Sequence, residues 1–103
     1  MIVTAIFKAK PGKESELHAE LHAGATASWA EEGVRGYYVH QLIDQPGIFM
    51  NIEVYKDAAA FAAHLETNHV KSFVGKLDDL LSEPLTVYQG SALFGGESSK
   101  AAL

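Results

Sequence analysis

From Ile2 to Lys10 both alternating faces of the chain carry apolar side chains. One face holds Ile2, Thr4, Ile6 and Lys8, the other Val3, Ala5, Phe7 and Ala9. This pattern predicts a strand covered on both sides, and Pro11–Gly12 ends it with a turn. From Glu14 to Glu32 the period changes. Leu17, Leu21, Ala25 and Trp29 recur every four residues, which predicts a helix with a single apolar stripe, and Glu14 and Glu16 suit its positive N-terminal end. Gly33 stops it. Alternation returns over Arg35 to Ile43 and Ile48 to Tyr55, and Asp44–Gln45–Pro46–Gly47 between them predicts a hairpin turn.

Asp57 is placed to cap a helix with apolar positions at Ala58, Phe61, Ala62 and Leu65. A second stripe of Val70, Phe73, Val74, Leu77 and Leu81 meets the first out of phase. That mismatch predicts a break near Thr67–Asn68, with Thr67 capping a new segment. Pro84 releases the chain into a last strand, Leu85 to Phe94. Gly95–Gly96 opens a stretch without a core pattern, so residues 1–94 are expected to form the domain and 95–103 a disordered tail. The order β-α-β-β-α-β predicts an α+β, ferredoxin-like fold, an antiparallel sheet with helices on one face. The other face is expected to carry Phe49, Tyr55 and the aromatics of the second and last strands. It is too apolar to stay wet. A partner's sheet is the simplest cover, which predicts an obligate homodimer closed into an α/β barrel.

Composition narrows the function classes. A chain of 103 residues is one domain, and 48% hydrophobic content argues against disorder of the whole. The net charge of −5, with lysines 8, 10, 13, 56, 71, 76 and 100 scattered, argues against nucleic-acid binding. Zero cysteines excludes disulfides, thiol catalysis and Cys-ligated zinc, and fits a reducing, cytoplasmic setting. The apolar runs are strand-sized and follow no basic leader, so neither a membrane span nor a signal peptide is expected.

The candidate chemistry lies in two adjoining segments, Phe49–Met50–Asn51–Ile52–Glu53–Val54–Tyr55 and His64–Leu65–Glu66–Thr67–Asn68–His69. Asn51 and Glu53 share a strand face with Phe49 and Tyr55. A carboxylate on a covered sheet face needs a partner, which could be His64, a substrate hydroxyl or a cross-dimer cation. Tyr37 and Tyr55 read as core, and Trp29 as lid or core. His18 and His22 form an H-x3-H pair without an obvious third ligand, so no metal is expected there. No phosphate loop, serine-nucleophile motif or dinucleotide fingerprint occurs.

With Lys10–Pro11–Gly12–Lys13, Glu31–Glu32–Gly33, Gly36–Tyr37, Ile52–Glu53–Val54–Tyr55 and His64 through Phe73, the chain resembles the antibiotic biosynthesis monooxygenase domain family over roughly Ile2 to Phe94. It looks most like that family's quinol monooxygenases. The resemblance implies a dimeric α/β barrel that oxidises a quinol or polycyclic phenol, with molecular oxygen as co-substrate and no metal, flavin or other cofactor. His64 is then the expected proton-transfer group, since imidazole titrates nearest neutrality, with Glu53 and Asn51 beside it. Phe49, Tyr55, Phe61, His69 and Phe73 are the expected substrate contacts. Two alternatives differ in class. One is an isomerase of a small phosphorylated or polyol carbonyl compound, for which cations such as Arg35 or Lys71 are few; the other is a non-enzymatic ligand-binding dimer. The pattern departs from the family at Asn68, where proline is common, and at Val34, where cysteine is common. Strand one offers Thr4 and Ala5 but no asparagine, and Tyr55 replaces the tryptophan of haem-degrading relatives, so haem is not expected.

Overall fold

Strand register decides which side chains meet the helices. The computed structural model describes Met1–Leu103. In chain order it contains β1 (Ile2–Lys8), α1 (Glu14–Trp29), β2 (Val34–Gln41), β3 (Ile48–Tyr55), α2 (Ala58–Leu65), α3 (Asn68–Val74), α4 (Leu77–Leu80), β4 (Thr86–Gly90) and a 3-10 turn at Ser99–Ala101. The strands form one antiparallel sheet in the order β2-β3-β1-β4, with helices on one face. In that register Phe7 lies opposite Phe49, Ala5 opposite Asn51, and Val3 opposite Glu53, which in turn faces Tyr37.

These inward residues meet Leu17 and Leu21 of α1 and Leu77 and Leu80 of α4 in one core cluster, and Phe61 of α2 in a second. Leu17 is fully buried, which stabilises the fold by about 1.5–3 kcal/mol relative to an exposed side chain. Phe49 and Tyr55 are therefore covered by the helices of their own chain, not left on the open face as the alternation predicted. The strand period was right and its sign was reversed. The open face carries Ile2, Ile6, Met50, Ile52 and Val54, with Tyr38 and Tyr88 about three-fifths exposed on it.

The element boundaries differ from expectation where tertiary pairing ends. β4 stops at Gly90 rather than Phe94 because Gly90 lies opposite Ile2, where β1 begins. β1 itself ends at Lys8, opposite the first residue of β3, and Ala9 makes an isolated bridge to Leu81. Gly12 has φ +86°, which glycine adopts without strain. β2 runs Val34–Gln41 rather than Arg35 to Ile43, and Leu42 N still donates to Ile48 O across the hairpin. α1 ends at Trp29, three residues before Glu32, and its indole Nε1 donates to Tyr37 O at 2.9 Å. Both expected caps are present: Asp57 accepts from Ala60 N at 2.8 Å and Thr67 from Val70 N at 3.3 Å. The second apolar stripe is divided again at Gly75–Lys76, so Leu77 and Leu80 form a separate turn, α4.

Residues beyond Gly95 bond among themselves, with Gly96 N donating to Ala101 O and Lys100 N to Ser98 Oγ. Deleting Glu97 to Leu103 is expected to shift the melting temperature by less than about 4 °C, as for a change that removes no core contact. A larger loss in a thermal melt would show that the tail docks.

Candidate active site

α2 is expected to bury Phe61 and Leu65. It buries Phe61 and His64 instead, and leaves Leu65 46% exposed. Phe61 and His64 are an i, i+3 pair on one helical face, and that face is the one turned to the sheet. His64 is consequently 5% exposed and stacks on Phe61, their planes 20° apart, with the Tyr55 ring centroid 5.3 Å away.

The partner of His64 is Glu31. Its Oε2 lies 2.8 Å from His64 Nδ1 and 2.9 Å from His69 Nε2. Glu31 can reach both because α1 has already ended, so the residue sits in the turn before β2. That turn is pinned by Lys56 N donating to Gly33 O at 2.9 Å, and a Cβ on Gly33 would meet Ala60 Cβ at 2.5 Å. His69 enters from the first turn of α3, placed by Thr67, whose hydroxyl donates to His64 O at 2.7 Å. The two imidazoles thus depend on one capped break. Glu31 is the site residue that sequence reasoning missed; it was visible as part of Glu31–Glu32–Gly33 but was counted inside the helix.

On the sheet side, Asn51 Nδ2 donates to the Tyr37 hydroxyl at 3.1 Å and to Glu53 Oε2 at 3.3 Å, and the Tyr55 hydroxyl donates to Glu53 Oε1 at 2.5 Å. Of the partners left open for Glu53, His64 makes no direct hydrogen bond to it, and Asn51 and Tyr55 take that place. Asn51 Oδ1 is buried without a partner. Burial, more than any other cause, raises the Glu53 carboxyl above its ordinary 4.5, while Tyr55, His64 and Asn51 pull it down. Burial and the Glu53 charge likewise push both tyrosine hydroxyls up, so they stay protonated.

Between the layers lies a cavity of about 100 Å³. Asn51 and Glu53 line it from β3, Tyr37 from β2, His64 and Phe61 from α2, His69 and Phe73 from α3, and Val3, Ala5 and Phe7 form its floor. No Lys or Arg lines it. Of the eight expected site residues, Phe61, His64, His69 and Phe73 face the cavity with Asn51 and Glu53, whereas Phe49 and Tyr55 do not. Phe49 packs against Phe7 and Leu17, and Tyr55 supports Glu53 from behind. Trp29 is 58% exposed and lies outside the cavity. His18 and His22 are exposed on α1 and gather no third donor.

The profile of the antibiotic biosynthesis monooxygenase family matches residues 1–76. The chain belongs to that family. It is 37% identical over 87 residues to "Putative monooxygenase YcnE" of Bacillus subtilis (strain 168), covering 84% of this chain and 92% of that protein. The solved structure of Rv0793 from Mycobacterium tuberculosis superposes with a TM-score of 0.88 at 28% identity, covering 93% of this chain and 97% of that one. PA3566 from Pseudomonas aeruginosa gives 0.85 at 31% identity, covering 90% and 93%. The fold and the family expected from the residues are both shown. No helix is long and apolar enough to cross a membrane.

Glu53 gives this site a measurable pH signature. Its folded-state pKa is raised, so folding favours the protonated form; that stabilisation is complete below about pH 4.5 and is lost as pH rises through the folded value. Glu53→Gln keeps the shape and has no proton to lose. Its melting temperature should exceed that of the parent by a margin that is smallest near pH 4 and widens toward neutrality. A margin independent of pH, read by thermal melts across that range, would mean the network fully offsets burial of the charge.

Proposed function

We propose that the protein is a cofactor-independent monooxygenase acting on a quinol, with His64 as the base. The observation that carries this reading is the tie between Glu31 Oε2 and His64 Nδ1. In the neutral ring it holds the hydrogen on Nδ1 and leaves Nε2 with the lone pair, in a residue that borders an apolar cavity. His64 Nε2 takes the proton of a bound phenolic hydroxyl. The resulting quinolate is electron-rich enough to reduce dioxygen in a space lined mainly by apolar side chains. One oxygen atom enters the ring and the other leaves as water, so quinol plus dioxygen gives hydroxyquinone plus water. No external reductant is needed. Asn51 Oδ1, buried and unpartnered, supplies an acceptor for a substrate hydroxyl.

The volume of about 100 Å³ is below the roughly 150 Å³ of an enclosed apolar cavity that takes benzene, so it argues against fused rings, and a single quinol ring would enter it only in part. A phosphorylated substrate would meet no cation in the lining. Lys71 instead pairs with Glu66 at the surface, and Arg35 is exposed. The open sheet face of Ile2, Ile6, Ile52, Tyr38 and Tyr88 supports a homodimer packed sheet to sheet. The absence of cysteine fits a cytoplasmic setting.

Oxygen uptake with a panel of one-ring and fused-ring hydroquinones tests the reaction. Consumption of dioxygen with the one-ring members is expected, and His64→Ala should lower turnover about 10²–10⁴-fold while the protein stays folded. Full activity in a folded His64→Ala protein would move the chemistry elsewhere, and no uptake with any quinol would end the monooxygenase reading. Sedimentation at micromolar concentration should give a mass near twice 11.1 kDa. A stable monomer there would remove the sheet-to-sheet assembly.

A further inference from the structure

Three donor atoms converge beside the cavity: Glu31 Oε2, His64 Nδ1 and His69 Nε2 all lie within 4.8 Å of one another. Two imidazoles and one carboxylate are a donor set suited to zinc and to other divalent first-row ions. We propose that Glu31, His64 and His69 form a binding site for such an ion, zinc foremost, built into the fold beside the substrate cavity. The binding does not depend on the monooxygenase reading.

The distances favour it. Ligand atoms around tetrahedral zinc, with bonds of about 2.0–2.1 Å, stand roughly 3.3 Å apart. Glu31 Oε2 now lies 2.8 and 2.9 Å from the two nitrogens, so each gap opens by about half an ångström to admit the ion. Rotation of the Glu31 side chain supplies that much without moving the backbone, because Glu31 sits in a turn and not in α1. An entry path exists at His69, whose side chain is 27% exposed, whereas that of His64 is 6% exposed.

Coordination also changes what His64 can do. A neutral imidazole bound through Nδ1 carries its hydrogen on Nε2, so that nitrogen becomes a donor and ceases to be a base. Metal and base function are therefore mutually exclusive at this ring. The ion would act as an inhibitor of a proton-abstracting enzyme and would not be its cofactor. The site is invisible in local sequence spacing because its third donor lies 33 residues upstream of His64.

The test is isothermal titration of tag-free protein with zinc chloride at neutral pH, followed by a cobalt(II) titration of the unaltered chain. One zinc per chain is expected. Glu31→Gln and His69→Ala should each weaken binding by more than about tenfold, and His18→Ala/His22→Ala should bind as the parent does. Cobalt should give a visible d–d band and two paramagnetically shifted imidazole N–H resonances, a readout that needs no variant to fold. Absence of binding, loss of binding with the His18/His22 variant, or unchanged binding in both Glu31→Gln and His69→Ala would overturn the site. Failure of the binding test leaves the oxygen-uptake result untouched, and failure of oxygen uptake leaves the binding result untouched.

Discussion

Oε2 of Glu31 accepts from imidazoles on two successive helices, and three separate segments of the chain meet on it. The turn after α1 brings the carboxylate, α2 brings His64, and α3 brings His69. None of these elements is long. α2 and α3 have 8 and 7 residues, too few for a stable helix in isolation, so their positions come from caps and tertiary contacts. Asp57 and Thr67 fix where each helix starts, and Gly33 lets the α1–β2 turn approach Ala60 closely enough for Glu31 to reach across. Moving any of the three segments opens the shared contact and with it the wall of the cavity.

The sheet side of the site carries the opposite kind of constraint. Tyr37, Asn51, Glu53 and Tyr55 are all buried polar residues on one face of two adjacent strands, where apolar side chains would pack at no desolvation cost. The network satisfies most of its atoms but leaves Asn51 Oδ1 without a partner and Glu53 raised in pKa. A fold selected for stability alone would fill these positions with aliphatic residues. Retaining them beside a cavity is what a binding or catalytic site requires, and places like these are where local rules of packing are expected to be broken.

Patterning exposed most of the fold because the deciding interactions are local. The Asp57 and Thr67 caps, the β2–β3 hairpin and the full extent of β3 depend on neighbours a few residues away. The errors arose where distant partners decide. Alternation groups Phe49 with Tyr55 but cannot say which face the helices cover. β4 is cut at Gly90 by the start of β1, which lies 88 residues earlier in the chain. The stripe through Phe61 favoured Leu65 over His64 on hydrophobicity, yet Glu31 offers His64 a buried partner that no local window contains. Hence the convergence of Asn51, Glu53, His64 and His69 on one cavity was legible, and the group that joins the two histidines was not.

The geometry of that join holds an imidazole in one orientation beside a largely apolar space. An imidazole with both nitrogens unpaired in a cavity would hydrogen-bond water or adopt either tautomer. Glu31 removes this freedom by accepting at Nδ1, and the aromatic rings of Tyr55 and Phe61 restrain the plane of the ring. His69 then shares the same oxygen and keeps the carboxylate from turning away. Tyr55 serves both halves of the site, with its hydroxyl on Glu53 and its ring beside His64. A substitution at Tyr55 would therefore disturb the sheet network and the imidazole together, although Tyr55 itself does not line the cavity.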